Sequence, residues 1–167
     1  MSRRGTPHRS IPVGLPPFQR LLDDHGRDVY RFLAATVGPA EAEDCFQEAF
    51  LAALRAYHRV RDGSRLRSWL FTIAYHKAVD AHRARARRPV AVATLPDGAG
   101  PVEDGVEPEL WRHVRRLPPK QRAAVVQRFV NDLPYAEIGE ALGCSEEAAR
   151  RNVSQGVKKL REIWDGR

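Results

Sequence analysis

Apolar residues recur at helical spacing along the first half of the chain and predict three helices there. The first covers 18–37, and Gly38-Pro39 ends it and places Pro39 in the first turn of the second helix. A Gly-Ser turn within 60–67 leads to the third helix, which starts near Leu66. The apolar stripe of the second helix is expected to face inward and consists of Ala42, Cys45, Phe46, Ala49, Phe50, Ala53, Leu54 and Tyr57.

Four shorter helices are predicted in the second half, beginning near Glu109. Pro118-Pro119 separates the first two, and Asn131-Asp132 turns the chain toward the third. The expected inward positions of the first two helices are Leu110, Val114, Leu117, Ala123, Val125, Val126, Phe129 and Val130.

The last two predicted helices form a pair over 135–160. Gly143-Cys144 interrupts the apolar pattern, and Ser145 follows as an N-cap with Glu146 in the next turn. The free face of the second helix is basic and polar, which is typical of a helix-turn-helix. An ordinary αα-hairpin with a solvated charged face is the alternative. Gly156 costs this helix about 1 kcal/mol relative to Ala, which suggests close approach to a phosphate or to a neighbouring helix.

A stretch rich in proline, glycine and acidic residues joins the two halves. Residues 89–108 contain four Pro and three Gly, a composition typical of a flexible linker. We therefore predict an all-α protein with two small helical domains, 17–88 and 109–167, joined by an acidic linker at 89–108. Residues 1–16 are predicted to form a disordered basic arm.

The net charge is +7 and the isoelectric point is about 10.0, which indicates a polyanionic partner. The charge is uneven, because residues 1–88 hold 16 Lys+Arg against 9 Asp+Glu and 111–167 hold 12 against 7. Residues 89–110 hold none against 5. Two basic blocks separated by an acidic strip suggest two nucleic-acid contacts on one chain.

Two surfaces of the first half stand out. The second helix carries Glu43, Asp44, Gln47 and Glu48 on its polar face, either as carboxylates that complement the helix dipole or as a docking face for a basic protein. The third helix carries a dense cationic run that we interpret as a phosphate track. Trp69 and Phe71 are expected in the core, whereas Tyr75 is expected to be more open and able to stack on an unpaired base.

Several function classes are excluded or disfavoured by what the sequence lacks. No Gly-rich phosphate loop, metal-ligand spacing or nucleophile-base arrangement is present, so we expect no catalytic residue, no metal and no cofactor. Cys45 and Cys144 lie far apart without a CxxC companion and are expected to be small buried side chains, not part of a disulfide or a zinc site. No signal peptide or stretch of membrane-spanning length is found, which predicts a cytoplasmic protein without a membrane partner.

Four segments together resemble the extracytoplasmic-function (ECF) group of bacterial sigma factors, and the resemblance covers about residues 17–163. Residues 42–50 (AEDCFQEAF) and 69–74 (WLFTIA), followed by Asp80 and the arginines before Pro89, are similar to segments of the first domain of these proteins. Residues 117–122 (LPPKQR) and 135–143 (YAEIGEALG) are similar to segments of their second domain. The order of the segments and the length of the linker make the resemblance specific.

The resemblance implies a transcription initiation factor that binds core RNA polymerase and promoter DNA. Such a factor has no catalytic activity and no small-molecule substrate. Asp44, Gln47 and Glu48 match positions that dock on the β′ clamp helices. The residues matched to capture of the melted −10 element are Arg61, Arg65, Arg67, Tyr75, His76, Lys77, Arg83, Arg85, Arg87 and Arg88. The residues matched to reading of the −35 duplex are Ser145, Glu146, Arg150, Arg151, Asn152, Gln155, Lys158 and Lys159. An anti-sigma factor is a usual partner in the group.

Two departures from the family pattern concern specificity. Tyr75-His76 stands where Arg-Asn is frequent, so an amide able to read a flipped base is missing. Residues 148–152 (AARRN) replace a frequent TVKSR, which leaves the promoter sequence open. A helix-turn-helix repressor or activator that binds duplex DNA alone and a sigma-like protein that binds polymerase without melting promoters are the alternatives. The repressor leaves the acidic face at Asp44 and Glu48 without a purpose.

Overall fold

The computed structural model describes residues 14–87 and 108–166, which are helical with short turns and contain no strand. This confirms the predicted all-α class. Most of the predicted arm and linker, together with Arg88, lie outside the described residues. The seven helices of the described part are α1 (Phe18–Val37), α2 (Pro39–Ala56), α3 (Leu66–Arg87), α4 (Pro108–Arg116), α5 (Pro119–Phe129), α6 (Tyr135–Leu142) and α7 (Glu146–Asp165).

The first half packs α1, α2 and α3 around a common core. Phe32 of α1 and Phe71 of α3 are fully buried and meet edge to face, with ring centroids 5.8 Å apart. Pro39 occupies the first turn of α2, as the sequence predicts. The inward position expected for Leu54 is wrong: its side chain is 52% exposed, because none of the described helices covers that edge of the α2 stripe.

The second half contains the predicted helix-turn-helix. Gly143 ends α6 with a positive φ of 66°, a left-handed conformation that glycine adopts without a Cβ clash. Ser145 then caps α7, since its hydroxyl accepts a hydrogen bond of 3.1 Å from the backbone N–H of Ala148. The inward position expected for Phe129 is wrong, because this last residue of α5 is 66% exposed.

Gly156 faces a neighbouring helix, which decides between the two explanations offered by the sequence. A Cβ built on Gly156 would lie 2.6 Å from Cγ2 of Val125 in α5 and 3.5 Å from the carbonyl oxygen of Gln121. The valine has few free rotamers, so it cannot easily move aside. The cost of glycine in the helix therefore allows α7 to approach α5 closely.

Gly156→Ala is expected to lower the free energy of unfolding by about 1–2 kcal/mol, because the overpacking at Val125 exceeds the gain of about 1 kcal/mol in helix propensity. Denaturant unfolding measures the change. Ser154→Ala at an exposed position of α7 is the control and should change little. In a Val125→Ala background the same Gly156→Ala change should be neutral or stabilising, and a loss as large as in the wild-type chain would contradict the close contact with Val125.

The two halves pack against one another, which the sequence does not predict. Their buried apolar side chains form one cluster, with α1 against α4 and α5 and α3 against α6. Polar contacts also cross the boundary. The guanidinium of Arg122 donates a hydrogen bond of 2.9 Å to the carbonyl of Thr36, and the amide of Asn131 donates one of 2.9 Å to the carbonyl of Asp28.

Candidate nucleic-acid interface

The acidic face of α2 is exposed along its whole length. Asp44, Gln47 and Glu48 lie side by side on it, at the i, i+3 and i+4 spacing that aligns side chains on a helix. Leu51 and Leu54 continue the same face by two further turns, and their side chains are 51% and 52% exposed. Leu51 was not predicted to belong to this face and Leu54 was predicted to be buried, although their spacing from Gln47 and Glu48 places them on the same side of the helix.

Cys45 lies behind this face and is buried. Burial raises the pKa of its thiol to about 11, and the nearby carboxylates of Glu41, Glu48 and Asp44 act in the same direction. The thiolate, which is the reactive form, is therefore strongly disfavoured at neutral pH. Cys144 is also a free thiol and is half-buried. Cys45 has the properties of a small core side chain.

The loop before α3 is ordered by Asp62. Its carboxylate accepts hydrogen bonds from the backbone N–H of Ser64 at 2.9 Å and from the hydroxyl of Ser64 at 2.6 Å, and these bonds lower the pKa of Asp62. They stabilise a 3₁₀ turn at Gly63–Arg65 that leads directly into α3. Arg61 and Arg65 are exposed on this loop.

An open cavity of about 670 Å³ adjoins the loop. Its walls combine cationic, aromatic and hydroxyl side chains, namely Arg59, Arg61, Arg65, Trp69 and Thr72, and Glu140 of α6 also lines it. The predicted core position of Trp69 is only partly confirmed, because this side chain is half-buried at the cavity wall. Guanidinium groups next to an aromatic ring suit a nucleotide, whose phosphate and base need both kinds of contact.

The cationic track of α3 is exposed at its C-terminal end. Arg83, Arg85 and Arg87 are accessible, and Arg85 Nε lies 3.7 Å from a carboxylate oxygen of Glu41. His76 is exposed and Lys77 is half-buried.

The open position expected for Tyr75 is wrong, because its side chain is only 8% exposed and its burial raises the pKa of the phenol. The ring packs in the apolar cluster that the two halves share, near Cys144 of the second half, and cannot stack on a base there. Phe71 is fully buried, as predicted.

The exposed face of α7 carries most of the residues expected to meet duplex DNA. Arg150, Arg151, Gln155, Lys158 and Lys159 are exposed. Three further predicted residues form hydrogen bonds with neighbouring residues of the same helix. The hydroxyl of Ser145 caps the helix, the amide of Asn152 donates to the carbonyl of Ala148 at 2.9 Å, and Glu146 accepts from Arg150 at 2.8 Å.

Arg150 is held in place from two sides. Besides Glu146, it contacts the ring of Tyr135, with its guanidinium carbon 4.4 Å from the ring centroid. Arg128 of α5 contacts the same ring at 5.0 Å. Such cation–π contacts fix the plane of a guanidinium group. The contact between Tyr135 and Arg150 was not predicted from the sequence.

Two predicted −10 residues are engaged with α6. Arg67 donates from Nε and Nη2 to the two carboxylate oxygens of Glu137, both at 2.9 Å, and Arg65 Nη1 lies 3.2 Å from Glu140. About 70 residues of sequence separate these partners.

Among the described residues, no group of His, Cys, Asp and Glu side chains is arranged to hold a metal ion. None of the described helices combines the length and apolar character required to cross a membrane.

Comparison with known families matches both halves of the chain. The Sigma-70 region 2 model matches residues 21–88, and the Sigma-70, region 4 model matches residues 109–160. RNA polymerase sigma factor CarQ of Myxococcus xanthus is 38% identical over 154 residues, which cover 87% of this chain and 88% of that protein. ECF RNA polymerase sigma factor SigX of Bacillus subtilis is 29% identical over 160 residues, with coverage of 87% and 82%.

Two solved structures share the fold over most of the chain. The sigma factor RpoE of Bartonella quintana, in complex with the anti-sigma factor NepR, has a TM-score of 0.73 and 20% identity, and the match covers 89% of this chain and 96% of that one. CnrH, in complex with the cytosolic domain of CnrY, has a TM-score of 0.67 and 22% identity, with coverage of 89% and 88%.

Proposed function

We propose that separate surfaces of this chain, which belongs to the ECF group of the sigma-70 family, recognise separate parts of a promoter. Members of this family are regulatory, non-enzymatic proteins, and this one functions in promoter recognition during transcription initiation. We assign these surfaces to two domains, the first over 17–88 and the second over 109–167. We expect the chain to have no catalysis of its own and to act in the cytoplasm.

The acidic face of α2 is the proposed docking site on core RNA polymerase. Asp44, Gln47 and Glu48 would contact the β′ clamp helices, and Leu51 and Leu54 would extend the contact with apolar area. The charge of this face is opposite to the net charge of the chain, which favours a basic protein surface over DNA as its partner. An anti-sigma factor is expected to compete for such surfaces.

The loop and α3 are proposed to hold the melted −10 strand. Arg61, Arg65 and Arg67 would bind its phosphates beside the cavity at Trp69. Further along α3, the proposed contacts with the same backbone are His76, Lys77, Arg83, Arg85 and Arg87. Arg88, which follows α3 in the sequence, is proposed to make the same kind of contact.

The exposed face of α7 is the proposed reader of the −35 duplex. Arg150, Arg151 and Gln155 carry groups that pair with purine edges, whereas Lys158 and Lys159 are suited to phosphates.

The observation that carries this assignment is that one chain has both the acidic face of α2 and the exposed basic face of α7. An exposed basic helix after a helix-turn-helix would also suit a repressor. A repressor has no use for an acidic face at Asp44, Gln47 and Glu48 that continues into two exposed leucines.

Reconstitution with core RNA polymerase tests the proposal. We expect the full chain to bind core polymerase and to produce run-off transcripts from a restricted set of promoters in a genomic template, which sequencing of the transcripts would identify. A protein that binds duplex DNA but not polymerase would support the repressor instead. Polymerase binding without transcripts would indicate a sigma-like protein that cannot melt promoters.

A further inference from the structure

Arg67 at the start of α3 makes a two-pronged contact with α6. Both carboxylate oxygens of Glu137 accept hydrogen bonds of 2.9 Å, one from Nε and one from Nη2. The two side chains are 40% and 31% exposed, so water reaches the pair only partly. Parallel hydrogen bonds of this kind are the strongest arrangement between a guanidinium and an oxyanion.

Glu140, one turn further along α6, reaches the neighbouring positions. One of its carboxylate oxygens accepts a hydrogen bond of 2.9 Å from the hydroxyl of Ser68, and the other lies 3.2 Å from Nη1 of Arg65. Glu140 also lines the cavity beside Trp69. The two carboxylates of α6 therefore bind Arg65, Arg67 and Ser68, at the junction of the loop and α3, and we call these three residues the loop surface.

A carboxylate and a phosphate bind a guanidinium through the same pair of parallel hydrogen bonds. The Nε and Nη2 hydrogens that Arg67 gives to Glu137 are not free to bind a phosphate at the same time. We infer that the loop surface is a docking site with two mutually exclusive partners, the α6 carboxylates Glu137 and Glu140 of the same chain and the phosphates of single-stranded DNA. The inference rests on the proposed role of Arg65 and Arg67 in holding the −10 strand.

The other surfaces of the chain stay open when α6 is docked. Asp44, Gln47 and Glu48 are exposed on α2, and Arg151 and Lys159 are exposed on α7. The closed chain thus presents its proposed polymerase-docking face and its duplex-reading face. Of the residues proposed to bind the melted strand, α6 occupies those of the loop surface, while Arg61 and the arginines at the end of α3 stay exposed. The contact with α6 therefore lowers the affinity of the closed chain for unrelated single-stranded nucleic acid until the second half separates from the first.

Two further polar contacts across the boundary are compatible with separation. Arg122 donates to the carbonyl of Thr36, and Asn131 donates to the carbonyl of Asp28. All four groups can form hydrogen bonds with water instead, so opening leaves none of these four without a partner. Exposed and half-exposed ion pairs such as Arg65–Glu140 are also weakened by salt.

The test removes the two carboxylates with the nearly isosteric change Glu137→Gln plus Glu140→Gln in the full chain. Small-angle X-ray scattering should give a larger radius of gyration than for the wild-type chain. Fluorescence anisotropy with a labelled random-sequence DNA strand of about 12 nucleotides should show about tenfold tighter binding, because the fraction of competent molecules rises. Adding Arg65→Ala and Arg67→Ala should abolish that gain.

A matched control is required, because the double change also adds two units of positive charge, which strengthens DNA binding in general. Glu162→Gln plus Asp165→Asn makes the same charge change at exposed positions near the end of α7. A gain in affinity equal to that of the control would overturn the competition. A charge swap, Arg67→Glu plus Glu137→Arg, should restore the small radius that either single change enlarges.

The readouts separate this inference from the proposed function. An unchanged radius with unchanged affinity overturns docking of α6, whereas loss of strand binding on Arg65→Ala plus Arg67→Ala would still support the DNA-binding role of the loop. A larger radius without tighter strand binding would keep the α6 contact but overturn the DNA-binding role, and the competition with it.

Discussion

Replacing Gln47 and Glu48 together by alanine is expected to weaken binding of the chain to core RNA polymerase by about 30-fold or more. A loss of about 2 kcal/mol is typical when central residues of an interface are truncated, and it corresponds to that factor. Both side chains are exposed in the free chain, so the change should leave its stability nearly unaltered. In the complex it would remove a charge and an amide from desolvated contacts and leave the partner's basic groups unpaired.

Fluorescence anisotropy of the labelled chain with core polymerase measures the affinity, and run-off transcription at limiting chain concentration should fall with it. Gln19→Ala plus Asp23→Ala is the matched control. It removes the same two kinds of group from the exposed face of α1, where the amide of Gln19 donates to Asp23 at 2.9 Å. Equal losses in both double variants, or none in either, would contradict the docking role of α2.

Helix boundaries were predictable because their causes are local. Pro39 fixes the start of α2, Gly143 supplies the left-handed end of α6, and the hydroxyl of Ser145 caps α7. Each of these signals acts within about four residues, so the sequence contains both the cause and the position. The all-α class and the helix-turn-helix follow from the same signals.

The failures concern which side of a helix is covered. An apolar stripe gives the angle of a residue around the helix axis but not the extent of the neighbour that packs there. Leu54 and Phe129 lie at the edges of their stripes, beyond the reach of the adjacent helices, and are exposed. Tyr75 shows the reverse error: its position on α3 suggested an open ring, but the packing of the two halves against one another buries it.

The α6 contacts of the candidate site could not be predicted from the sequence at all. Arg67 and Glu137 are 70 residues apart, and neither has a local pattern that identifies the other as its partner. The −10 residues were predicted from residue type and from the family resemblance. Both indicate what a side chain can bind, but not that a carboxylate of the same chain already binds it. Gly156 was predictable in part. Its cost to helix stability could be predicted from the sequence, but only the distance to Val125 showed that close packing of α7 on α5 requires the glycine.

Arg150→Ala is expected to weaken binding to one duplex sequence by about 1–3 kcal/mol and to have little effect on unrelated duplexes. The guanidinium group is already ordered in the free chain by Glu146 at 2.8 Å and by the ring of Tyr135 at 4.4 Å. Little conformational entropy remains to be lost when it meets a base edge, which is the condition under which a side chain discriminates best. Tyr135→Phe should preserve the discrimination, because the ring stays, whereas Tyr135→Ala should lose part of it.

Duplexes selected from a random pool by the reconstituted polymerase supply the specific site, and anisotropy titrations over a range of salt concentrations give the affinities. A base contact lowers the affinity for the selected duplex without changing the salt dependence. A phosphate contact lowers the affinity for all duplexes and reduces the slope of log affinity against log salt by about 0.9. The second pattern in Arg150→Ala would assign this side chain to the DNA backbone, and discrimination at the −35 site would then have to come from Arg151 and Gln155.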